Sequence, residues 1–165
     1  MIPTIEHVID ALRDELQQYG EMLALLEAQH GCLIQQDTQS TVSSCAVVEA
    51  QRCVIEAARK NREDLQRQLG WILGQPENHS FQDLLPLIPD HYRPLISALI
   101  REINHLIERV RDRVQSNHSV LLRSLELTER FLATISSQVN SALLVEERNS
   151  LGADSSQRTV SAAIV

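Results

Sequence analysis

Two pairs of residues in this sequence have the spacing of helical metal ligands. Glu27–His30 and Glu102–His105 each read ExxH, which puts a carboxylate and an imidazole on one face of a helix. Helical di-iron proteins take two such motifs, plus two further glutamates, from facing helices. The chemistry therefore depends on whether the fold brings His30 and His105 to one level. The three cysteines, Cys32, Cys45 and Cys53, form no CxxC. An odd number without that spacing suggests neither a disulfide framework nor a zinc ligand set, and they read as small apolar side chains. GxxxxGKS/T, GxGxxG, GxSxG and HExxH do not occur, so no phosphate loop, nucleophile elbow or zincin site points to an enzyme.

The elements that must position these residues are helices. Only five glycines, five prolines and five aromatic residues occur in 165 positions, and the apolar share is 43%. A core of Leu, Ile, Val and Ala with so few turn formers argues against sandwiches, barrels and Rossmann-like folds. Four of the five prolines lie between 76 and 94, which leaves two long proline-free stretches on either side.

The first helix is expected over about 4–35 with Thr4 as its cap. Its apolar residues, Ile5, Ile9, Leu12, Leu16, Tyr19, Leu23, Leu26 and Leu33, with His30 interrupting, alternate steps of four and three and predict coiled-coil-like packing. Asp37, Thr38, Ser40 and Thr41 offer caps for a second helix over about 40–74, completing a hairpin. The second stripe is read as Val47, Ala50, Val54, Ala58, Asn61, Leu65, Leu69 and Ile72. Trp71, alone of its kind, is read as a plug at the helix end. A structured connector over 75–91 holds one or two helical turns capped by Ser80. A last helix over about 92–145, with Asp90 as cap, keeps one apolar face from Ile96 to Leu143. Its expected defect is the SNHS segment at 116–119, and 146–165 is expected to be a flexible tail.

The fold class expected is all-α: an elongated antiparallel three-helix coiled-coil-like bundle with a short helical connector, a long C-terminal helix and that tail. Residues 1–145 are expected to form a single domain. At about 1.5 Å per residue the last helix is roughly 80 Å long against roughly 50 Å for each arm of the hairpin. Pairing it antiparallel with the second helix sets residue 92 level with 74 and residue 129 level with the turn at 37. The stripe beyond about 129 then lacks cover, which marks a partner site. A break near 116 that folds the helix back, or dimerisation through the stripe, would cover it instead. The same register sets residue 105 level with about 13, some 25 Å along the bundle from His30. That separation tells against a metal site and makes His30 a polar core residue with a local partner.

The formal charge of −7 repels phosphate backbones and anionic headgroups, so nucleic acid and membrane surfaces are poor partners. Arg109, Arg111 and Arg113 around Asp112 read as a solvated face of alternating sign. No apolar run reaches membrane-spanning length, and the N-terminal MIPTIEHVID has acids where a signal peptide is basic. A cytoplasmic protein is expected.

Three segments then carry a resemblance. DELQQYGEMLALLEAQHGCLIQQD holds Leu16, Tyr19, Leu23, Leu26, Leu33 and Asp37. NREDLQRQLGWIL holds Arg62, Leu65, Leu69 and Gly70. NHSVLLRSLELTERFL holds Asn117, Leu121, Leu122, Leu125 and Leu132. In this order and spacing, around a mid-chain Pro/Gly connector, residues 8–145 resemble the FlgN family of flagellar type III export chaperones. The resemblance implies a cytosolic chaperone, not an enzyme and without cofactor or metal. It would bind the C-terminal helical region of the hook-associated proteins FlgK and FlgL, prevent their premature assembly and deliver them to the export gate or export ATPase complex. The family's client-binding C-terminal part maps here to Leu125, Phe131, Leu132, Ile135, Val139 and Leu143. Family members dock at the gate near a tail Tyr–Gly, and this sequence departs from that pattern, with Leu151 before Gly152. A self-associating structural coiled coil without a client is the alternative, and either monomer or homodimer fits the sequence.

Overall fold

The computed structural model describes residues 2–75 and 79–161, the side chains of 140–161 excepted. Helix α1 spans Ile2–Ile34, α2 Thr38–Ile72, the one-turn α3 Phe81–Leu84, and α4 Arg93–Ser161, with a 3-10 turn at Leu85–Leu87. No strand occurs among the described residues, and the fold is all-α as expected. Two units are distinguished along the chain, Met1–Val120 and Leu121–Val165. In the first, α1, α2 and residues 93–120 of α4 pack together through the connector. The second consists, among the described residues, of residues 121–161 of α4.

The caps follow from local chemistry. Thr4 does not cap α1, which begins two residues earlier and carries Pro3 in its first turn, where a missing N–H costs nothing. Asp37 caps α2, accepting from the Ser40 amide (3.0 Å) and the Ser40 hydroxyl (2.6 Å). Those two bonds hold its carboxyl below the usual aspartate range. The contribution is therefore complete above about pH 4, the ordinary aspartate value, and is lost as pH falls through the lowered one. Asp37→Ala is expected to lower the thermal midpoint at pH 7 and to flatten the acid limb of a midpoint-versus-pH curve. An unchanged acid limb would mean that the cap contributes nothing. At the other end of α2, Gly74 takes φ +71° and the Gln75 amide reaches back to the Gly70 carbonyl (3.0 Å), an ending that favours glycine. Asp90 is not the cap of α4. It pairs instead with Arg93 (2.6 Å), the first residue of that helix.

The hydrophobic core lies in two clusters, both in the first unit. The larger joins Ile5, Val8, Ile9 and Leu12 of α1 to Leu69 of α2, Ile88 of the connector, and Ile96, Leu99 and Ile103 of α4. The smaller joins Met22 and Leu26 to Ile55, with Val48 and Val110 against it. Between them sits an ion pair from α1 to α2, Glu15 to Arg62 at 2.8 Å, with the Glu15 side chain only 3% exposed. Burial pushes the neighbouring Tyr19 hydroxyl up, and the Glu15 charge adds to the effect.

The second helix corrects the expected stripe. Its inward positions are Thr41, Val48, Gln51, Ile55, Ala58, Arg62, Leu65 and Leu69, whereas Val47, Ala50, Val54 and Asn61 are exposed. The buried polar residues are tolerated because each is hydrogen-bonded, Thr41 to the Asp37 carbonyl of its own helix end (2.7 Å) and the others across the seam. Gln51 donates to the backbone carbonyl of Gln18 (3.0 Å) and to its side-chain oxygen (2.9 Å), and Gln29 donates to the Ser44 hydroxyl (3.2 Å). Trp71 is likewise no plug: it is 80% exposed on the outer face beside the buried Gly70.

Candidate partner-binding surface

The register between α1 and α4 is fixed by a buried polar layer. Asn117, 3% exposed, donates to the Leu26 carbonyl (3.0 Å) and to Gln29 Oε1 (3.0 Å). Its Oδ1 lies 2.8 Å from His30 Nδ1. Because that oxygen only accepts, the network assigns the proton to Nδ1 of the imidazole. His30 is thus half-buried, with its partner across the seam on α4. These contacts join residues 87, 88 and 91 apart in sequence, close to the 92 that helix lengths alone predicted.

The two ExxH motifs do not converge. Residue 105 falls level with about 17 in this register, roughly 20 Å along α1 from His30. Glu102 and His105 are exposed, and Glu27 faces Arg113 at 3.9 Å. Among the described residues no group of three or more His, Cys, Asp or Glu is placed to hold a metal ion. Arg109 and Arg111 lie on the solvated face, and Arg113 alone of the cluster is half-buried.

The remaining candidate is the outer part of α4. The helix runs unbroken through 116–119, where the Ser119 hydroxyl bonds back to the Gln115 carbonyl (2.9 Å) without interrupting the backbone ladder. Every residue from 121 to 139 is exposed. Of the expected site residues, Leu125, Phe131, Leu132, Ile135 and Val139 range from 40% exposed at Ile135 to 66% at Phe131. The side chain of Leu143 lies outside those described. At 100° per residue Leu125, Leu132, Ile135 and Val139 fall within about 80° of arc along roughly 21 Å of helix. Phe131 flanks that stripe on one side.

The exposed apolar surface is larger than the sequence reading placed it. It includes Leu121, Leu122 and Leu127 and begins at 121, where helix lengths pointed to about 129 and the resemblance to Leu125. Within the first unit α4 is still half-buried at Val120, whereas Ile34 and Val42 on either side of the hairpin turn are exposed.

The polar groups within this stretch are mostly satisfied inside the helix. Thr128 and Thr134 donate to the carbonyls of Ser124 and Arg130 (2.9 Å each), Ser137 to that of Thr134 (2.8 Å), and Arg130 pairs with Glu126 (2.6 Å). Thr128, which lies in the stripe, therefore offers a partner no unpaired hydroxyl hydrogen. From Phe131 to Val145 the sequence has no charged residue at all. A stretch of that composition suits apolar contacts and has little means of attracting charge.

A family model described as FlgN protein matches residues 1–145. No curated protein and no solved structure matches the chain.

Proposed function

The chain belongs to the FlgN family, a family of flagellar export chaperones, and from that premise we propose that it binds the hook-associated proteins FlgK and FlgL in the cytoplasm. It would cover their C-terminal helical regions, prevent premature assembly and bring them to the export gate or the export ATPase complex. The observation that supports this reading is the exposed apolar arc over 121–139, in which Glu129 is the one charged residue, with Leu125, Phe131, Leu132, Ile135, Val139 and, by sequence, Leu143 as the contact residues.

The mechanism needs no covalent chemistry. An amphipathic helix of the client lays its apolar face on the stripe, and both surfaces are withheld from self-association until a competing site takes the client. Affinities between micromolar and nanomolar, about 8 to 12 kcal/mol, suffice for holding and release. No helix among the described residues is long and apolar enough to cross a membrane, which is compatible with a cytosolic carrier. Mixing the purified chain with purified FlgK or FlgL is expected to give a complex on size exclusion and to suppress client polymerisation followed by light scattering. Absence of a complex with either client at ten micromolar would overturn the assignment.

The even four-and-three spacing of Leu125, Thr128, Leu132, Ile135 and Val139 supports a second reading, a coiled coil between two copies of the chain. Sedimentation as a monomer at tens of micromolar would remove it.

A further inference from the structure

The apolar arc on 121–139 is too broad for one helix. In the first unit α4 buries or half-buries Ile96, Ile100, Ile103, Leu106 and Val110, and these span about 120° of its circumference at 100° per residue. Two helices, α1 and α2, with the connector, are what cover that arc. On 121–139 the arc from Phe131 through Leu121 and Leu132 to Leu122 is about 180°, and the exposed Leu127 lies about 40° beyond Phe131. A single partner helix covers the narrow seam of alternating positions, and its flanks are ordinarily charged. Here the two flanking positions carry Phe131 and Leu122, 66% and 53% exposed, on opposite sides of the helix. Glu129 is the one charge inside the arc, while Arg123, Glu126 and Arg130 lie on the far face.

We propose that this surface seats two helices of its partner, one over the Phe131 side and one over the Leu122 side of the central stripe. The partner is then a helical pair with an apolar groove between its members, related to residues 121–139 as α1 and α2 are to residues 96–117. Each member would present small or apolar residues toward Thr128 and the charge-free run that follows Phe131. This inference rests on the reading of 121–139 as the client surface, and it adds the architecture of what binds there.

The test uses the full chain with a photoreactive benzoylphenylalanine at Leu122, Phe131 or Leu132, mixed with purified FlgK, irradiated and mapped by mass spectrometry. All three positions are exposed, so an unchanged circular dichroism spectrum is expected in each case. The expected result is adducts from Leu122 and Phe131 in two different helical segments of FlgK, with Leu132 reaching either. Adducts from both flanks in one segment, or capture from Leu132 and only one flank, would overturn the two-helix arrangement and leave the client surface standing. No capture from any position would overturn the surface itself, and adducts to a second copy of the chain would replace the client with a homodimer. In a parallel titration, Leu122→Ser with Phe131→Ser is expected to weaken the FlgK dissociation constant at least about tenfold. A change under about threefold would place both residues outside the contact.

Discussion

Replacing Leu132 and Val139 together by aspartate is expected to abolish co-purification of FlgK while leaving helix content and the urea midpoint of the free protein unchanged. Both side chains are more than half exposed in the chain alone, so the free protein loses no packing. The local cost is the modest helix propensity of aspartate, under about 1 kcal/mol per site. In a complex the same carboxylates would be buried against apolar groups with no cation at hand, since no charged residue occurs between Phe131 and Val145 and Arg130 lies on the far face of the helix. Burying an unpaired charge costs several kcal/mol, so two of them are expected to weaken binding by more than about 100-fold, or about 2.7 kcal/mol. The Leu132→Ala/Val139→Ala pair, which removes area but adds no charge, is expected to fall between. Isothermal titration of the three proteins against one client measures this directly. Binding by the aspartate pair within threefold of the original would place the client elsewhere on the chain.

The largest stability effect belongs to Arg62. Its guanidinium donates from Nε to Glu15 (2.8 Å) and from Nη1 to Gln66 (3.0 Å), and it lies 5.9 Å from the centroid of the Phe81 ring. One side chain thereby ties α1, α2 and α3 together. Arg62→Met would leave the Glu15 carboxylate buried without its cation, at a cost of about 3–5 kcal/mol. That is a large part of the roughly 5–15 kcal/mol by which a domain of this size is stable. Adding Glu15→Leu removes the stranded charge and is expected to restore most of the loss, because an apolar pair can replace a buried ion pair at little cost. Urea unfolding of the single and double variants decides it. A loss under 1 kcal/mol for Arg62→Met would show that water reaches Glu15 and that the pair is not a structural tie.

Much of the fold could be read from the residues. The steps of four and three in α1 mark the side that meets α4, and Ile5, Leu12, Leu23 and Leu26 are buried there. The proline cluster between 76 and 94 locates the connector, and helix lengths bring the α1–α4 register within a few residues of the observed one. The seam of α2 was not legible by hydrophobicity, because Gln51 and Arg62 occupy inward positions while Val47 and Val54 face water. Polar residues can hold those positions only when a partner such as Gln18 or Glu15 stands opposite, and pairing of that kind is a property of two helices that neither shows alone. The surface of α4 was legible in character but not in extent. Leu125, Phe131, Leu132, Ile135 and Val139 are exposed, yet Leu121, Leu122 and Leu127 are exposed with them, and the last two lie off the helix face that Ile96 to Val110 bury, where a stripe read at helical spacing does not point to them.

The paired polar residues inside the hairpin have a consequence for a protein that handles the helices of others. Sliding α2 by one heptad along α1 would set Glu15 against Ile55 or Leu69 and strand Arg62, an error of several kcal/mol that a purely aliphatic seam would not register. A foreign amphipathic helix trying to replace α2 meets the same penalty, since it brings no guanidinium for Glu15 and no amide for Gln18. The interior is thus addressed to its own helices alone, while the outer stretch of α4, with no such address, stays open to an apolar stranger.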